Sequence, residues 1–139
     1  KPSAKTDGRC TYVMMIDIND FKMINDTYGH AEGDCALVIL SQSLVKAVRE
    51  HTYPVFLGRY GGDEFLMIVP TEMPAIAIRV IKDCMKEEVS NQYSSLNFAL
   101  KISLGYALWD GKSSNFKQSV AEADRMMYED KRQLKLHGN

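Results

Sequence analysis

The chain reads as an α+β domain, an antiparallel sheet with helices packed over it in the split β-α-β arrangement of ferredoxin-like folds. Three observations carry that reading. Thr11 to Ile18 is a β-forming apolar run interrupted only by Asp17. Two more apolar runs, 54–60 and 65–69, flank Gly61-Gly62 and read as the arms of a tight hairpin. Segments of helical period fill the rest, giving the order strand, helix, helix, strand, strand, helix, strand, helix; setting aside the short first helix leaves the split pattern.

A chain of 139 residues, 45% hydrophobic and 25% charged, fits one domain with a real core. Its formal net charge of -1 gives no electrostatic case for a nucleic-acid surface. No apolar run approaches membrane-spanning length and no signal-peptide pattern is present, so a soluble, cytoplasmic piece is expected. Residues 1–9 read as a linker or a cloning scar of a domain cut from something longer, and 10–139 as the domain itself. Cys10, Cys35 and Cys84 lack metal-type spacing and are expected to be free thiols; His30, His51 and His137 form no ligand pair.

Taken in order, the first strand ends on Asp17, and a carboxylate near the end of a central strand needs a partner. The alternative is a plain cap of the next turn. Asn19 or Asp20 then caps a short helix, Phe21 to Tyr28, which Gly29 ends. Exposed amides at its start favour phosphate oxygens, and Lys22, disfavoured there by the helix dipole, would be helped by a bound anion; a solvated lysine is the plain alternative. A second helix runs from about Glu32 to Val48, with Leu37, Val38, Leu40, Leu44, Val45 and Val48 as its apolar stripe and Asp34 in its first turn.

In the hairpin, Gly61 and Gly62 are expected to supply positive φ angles and to admit close approach. Asp63 and Glu64 at its tip repel each other and resist burial, which calls for a cation; hard oxygen donors suit magnesium or manganese, whose usual work is to hold phosphates. The plain alternative is a surface pair that keeps a hairpin edge soluble. Thr71 is expected to cap a third helix, about Glu72 to Val89, with Pro74 in its first turn and Ile76, Val80, Ile81, Cys84 and Met85 facing inward. A polar loop at 91–95 leads to a strand from Phe98 to Trp109, with Phe98, Leu100, Ile102 and Leu104 on one side. After a loop at 110–115 a last helix runs from about Val120 to Leu136. This topology sets the first strand beside a hairpin strand, so Asp17 converges with Asp63 and Glu64. Three carboxylates at one sheet edge need a cation.

These residues resemble the GGDEF domains, whose typical members are diguanylate cyclases. Gly61-Gly62-Asp63-Glu64-Phe65 spells the motif, preceded by Arg59. The run from Asp17 to Asp26, then Tyr28-Gly29-His30, Gly33-Asp34, and Asp124, Met127, Tyr128 and Lys131 continue the likeness in order from about Thr11 to Lys135. The resemblance implies a palm-like, nucleotidyl cyclase-like fold that condenses two GTP into cyclic di-GMP with loss of two pyrophosphates. It implies magnesium, with manganese a substitute, on Asp17, the Ile18 carbonyl, Asp63 and Glu64. Catalytic roles fall to Asp63, Glu64 and Lys22, with Asp63 as base for the ribose 3'-hydroxyl. Asn25 and Asp34 would read guanine, and Phe21, Lys22, Lys131 and Lys135 would surround the triphosphate.

It also implies a homodimer, since the product is two-fold symmetric, and an upstream sensory or regulatory domain in a parent protein that is cytoplasmic or anchored to a membrane. The isolated piece is then expected to be mostly monomeric. Two departures stand out. Leu134-Lys135 replaces the family's frequent Gly-Arg, and Thr52 and Val55 stand where many members carry an Arg-x-x-Asp product-binding motif, so product inhibition through that site is not expected. Other readings are a catalytically silent GTP-binding module that regulates a neighbouring domain, and a cyclase that also accepts ATP, against which Asp34 argues.

Overall fold

The computed structural model describes residues 5–6, 9–51, 54–91 and 96–137. A two-residue strand, β1 (Lys5–Thr6), pairs with the start of β2 (Arg9–Ile18), the strand around which the sheet is built. β3 (Phe56–Arg59) and β4 (Glu64–Thr71) form the expected hairpin, and β4 and β5 (Ile102–Leu108) flank β2, all antiparallel. The order across the sheet is therefore β5, β2, β4, β3, as the split β-α-β pattern requires.

The helices are α1 (Phe21–Tyr28), α2 (His30–Glu50), α3 (Pro74–Ser90) and α4 (Phe116–Leu136), the last preceded by a 3-10 turn at Ser113–Asn115. They cover both faces of the sheet. On one face Met14, Ile16, Ile18, Phe65, Met67, Ile102 and Leu104 pack against Ile24 of α1, Ala36, Leu40 and Leu44 of α2, and Ile81, Cys84 and Met85 of α3. On the other, Val13, Met15 and Leu66 pack against Val120, Ala123 and Met127 of α4. A strand covered on both faces must be apolar throughout, which is why β2 shows a run rather than an alternation.

Several element details differ from the sequence-based expectation. α2 buries Gly33, Ala36, Ile39, Leu40, Ser43, Leu44 and Ala47, while Val38 and Val45 are 51% and 38% exposed. Small residues let the helix approach closely, so its buried face is turned toward them rather than toward the larger aliphatics. α3 begins at Pro74, not Glu72; Thr71 instead accepts the Met73 amide at 3.2 Å in the turn before it, and Ile76 is half exposed. Hydrogen-bonded pairing in β5 starts at Ile102 rather than Phe98. Phe98 and Leu100 still pack on the face with Ile102 and Leu104. Thr52, the loop at 92–95, and positions 1–4 and 7–8 of the expected linker lie outside the described residues.

Candidate active site at the end of the central strand

Strand alternation places Asp17 on the α4 face, in step with Val13 and Met15. Its register partners are Glu64 on β4 and Ser103 on β5. Asp17 is only 5% exposed; its Oδ2 accepts a hydrogen bond from Lys131 of α4 at 2.8 Å, and its Oδ1 has no partner. Asp63 sets its carboxyl beside that of Asp17. Two ionised carboxylates cannot hydrogen-bond each other, so the second oxygen of Asp17 stays orphaned unless a proton or a cation arrives. Burial, then Asp63, push the Asp17 carboxyl up to about 7, against the opposing pull of Lys131. Burial likewise raises Glu64, helped by the charges of Asp124 and Asp63. Burial works against the Lys131 ammonium, but Asp17, Asp63 and Glu64 outweigh it and hold its pKa above the usual lysine value.

The α4 side of this cluster depends on Gly105. A Cβ at that position would lie 2.0 Å from the Ala123 carbonyl and 2.2 Å from the Met127 nitrogen, so the helix backbone rests directly on β5. That seating brings Lys131, one turn past Met127, to Asp17. Asp130 adds a second tie by accepting the Leu104 amide at 3.0 Å.

The turn that carries Asp63 is closed by the Tyr60 amide donating to the Glu64 carbonyl at 2.8 Å. Arg59 clasps it from outside, donating through Nε to the Gly62 carbonyl at 3.2 Å and through Nη2 to the same oxygen. Neither Gly61 nor Gly62 has positive φ, contrary to expectation; the positive-φ glycines among the described residues are Gly29 and Gly111. Gly62 faces open space, with nothing within 4 Å of a Cβ placed there, whereas a Cβ at Gly61 would come within 3.2 Å of the Glu64 carboxylate, so Gly61 admits the close approach of that side chain.

The remaining expected site residues divide. Asn25 lies directly over Gly33, where a Cβ would be 1.8 Å from its Oδ1, so α1 brings the Asn25 amide onto α2 one residue from the exposed Asp34. Asp20, N-cap of α1, sits in the left-handed region at φ 57° and makes no side-chain cap, leaving the first amides of the helix without one. Lys135 pairs with Asp20 at 3.5 Å rather than joining the acids. Lys22 pairs with Asp26 at 2.8 Å on the exposed side of α1. Phe21 packs against the core and Ile18 is buried.

The chain matches the family profile "Diguanylate cyclase, GGDEF domain" over residues 2–136. It belongs to the GGDEF family. Diguanylate cyclase A of Treponema denticola is 34% identical over 121 residues, 86% of this chain and 32% of the relative. Diguanylate cyclase DosC of Escherichia coli is 33% identical over 132 residues, 93% of this chain and 28% of the relative. This GGDEF domain thus spans about a third or less of those relatives. The solved GGDEF domain of DgcB from Caulobacter crescentus, in complex with c-di-GMP, superposes with a TM-score of 0.71 at 29% identity, covering 91% of this chain and 74% of that one.

Asp124, Gly33 and Gly105 are the parts of the site to which the sequence reading gave no role. Asp124 stood in the family likeness without a role, though it is seven residues, two helical turns, before Lys131 and so on its face. The glycines left a fainter sign, one inside a helix and one in mid-strand, where glycine signals close backbone approach. Among the described residues no three acids or other ligands are spaced as a ready metal cage. The donor set still fits a hard divalent ion, because it is all oxygen and Asp17 Oδ1 is buried without a partner.

Proposed function

We propose that this GGDEF domain condenses two GTP into cyclic di-GMP, releasing two pyrophosphates, in a symmetric dimer and with magnesium. The observation that carries the reading is the convergence of Asp17, Asp63, Glu64 and Lys131 at the end of β2, beside the uncapped start of α1. Magnesium, or manganese in its place, would be held by Asp17, the Ile18 carbonyl, Asp63 and Glu64, where it supplies charge against the phosphates and acidifies the ribose hydroxyl. Asp63 takes the proton of the attacking 3'-hydroxyl. The α1 amides receive phosphate oxygens, as helix starts do. Lys131, and Lys22 once released from Asp26, offset charge on the leaving pyrophosphate, with Lys135 beside them.

Asn25 and Asp34 orient guanine: a carboxylate accepts from the N1 and N2 donors that adenine lacks, and the amide pairs at the acceptor edge. Each domain holds one GTP, so two must face each other for both 3'-oxygens to attack. An upstream domain that sets their encounter would be the switch, the reaction would run in the cytoplasm where GTP is held, and the isolated piece would be mainly monomeric. Among the described residues no helix is long and apolar enough to cross a membrane.

An artificially dimerised protein incubated with GTP and magnesium, with nucleotides separated by chromatography, tests the reading. Cyclic di-GMP from the wild type and none from a folded Asp63→Ala variant is the expected result. GTP bound but intact in the wild-type forced dimer would instead favour a silent GTP-binding module.

A further inference from the structure

The acid cluster holds a cation of its own. Lys131 is 27% exposed at the side chain, donates to Asp17 Oδ2 at 2.8 Å, and feels Asp63 and Glu64 as well. Asp17 Oδ1, buried and unpartnered, shows that one ammonium does not satisfy the cluster. A lysine ammonium is a compact, strongly hydrated charge on a flexible stem, able to leave one anion for another. A divalent ion approaching Asp17 meets that ammonium, and repulsion between them opposes binding of the metal alone. The seating of α4 on Gly105 fixes the base of the lysine stem.

We propose that Lys131 is the resident counter-ion of the acid cluster, and that it gives up Asp17 to a divalent cation when the phosphates of a bound nucleotide take the ammonium. Metal and nucleotide then bind as a coupled pair, and metal alone binds weakly. The nucleotide half rests on the function proposed above; the counter-ion half does not.

Manganese binding without nucleotide, followed by electron paramagnetic resonance, tests the counter-ion half. Lys131→Met should bind manganese about tenfold more tightly than wild type, a difference of about 1.4 kcal/mol. Lys135→Met, whose lost ammonium belongs to Asp20, should bind it as wild type does. Equal affinity in wild type and Lys131→Met overturns the proposal. A non-hydrolysable GTP analogue should then tighten manganese binding more in wild type than in Lys131→Met, and equal tightening overturns the coupling. If Lys131→Met takes manganese more tightly yet neither protein binds the analogue, the counter-ion role stands and the GTP site falls.

Should Lys131→Met not fold, acetylation of wild-type amines read by mass spectrometry decides. Saturating manganese should raise labelling of Lys131 relative to Lys135, and an unchanged ratio overturns the proposal.

Discussion

Asp17 pays for its place in the site with an unpartnered, buried oxygen. Its carboxyl is raised from 3.8 to about 7, first by burial and then by Asp63, so the folded protein holds a proton there that the unfolded chain gives up. The stability linked to that proton is complete below about pH 4 and is lost as the pH rises through about 7. Metal-free protein should therefore melt at a lower temperature at pH 8 than at pH 5, and the difference should shrink in Asp17→Asn; a flat melting profile in the wild type would contradict the assigned environment. Gly33 offers a second residue-scale test. Alanine there improves helix propensity by about 1 kcal/mol, but its Cβ would displace the Asn25 amide. Gly33→Ala should keep or raise the melting temperature while weakening GTP binding about tenfold, as expected for one lost buried hydrogen bond. Unchanged affinity by calorimetry would remove Asn25 from the guanine site.

At the scale of elements, α4 decides whether Lys131 meets Asp17. Gly105→Ala would drive a Cβ into the α4 backbone, which cannot yield as a flexible side chain does. A loss of about 3 kcal/mol is expected by denaturant unfolding, together with loss of the Lys131–Asp17 pair. A neutral effect would mean that the helix is not seated there. The elements were largely legible in the sequence, and each miss has a physical cause. The apolar run of β2 announced a central strand, yet the same run hid which face each side chain takes. The side on which α4 packs was written only in the mid-strand Gly105. The stripe of α2 was misplaced because Gly33, Ala36, Ser43 and Ala47, which score weakly as apolar residues, are the ones that allow close packing. Gly61 and Gly62 promised unusual backbone angles; instead Gly61 makes way for the Glu64 carboxylate and Gly62 faces open space.

For the whole molecule, the convergence of Asp17 with Asp63 and Glu64 followed from topology alone, because register across β2 and β4 is set by which faces are buried. The sequence called for a divalent metal among those acids; the cation the structure shows there is the chain's own Lys131, on a helix more than a hundred residues away, which the reading did not place at Asp17. Lys22 and Lys135 pair with Asp26 and Asp20, acids on or beside α1, so each must leave its partner to meet a phosphate. In the function proposed above, two such clusters, each holding one GTP, must face each other to act. The most direct measurement is the initial rate of cyclic di-GMP formation across a wide range of protein concentration, with GTP and magnesium saturating. A rate that rises with the square of concentration at low protein, and becomes proportional to it in a forced dimer, is the predicted result. Turnover proportional to concentration throughout, from a protein that stays monomeric, would contradict it.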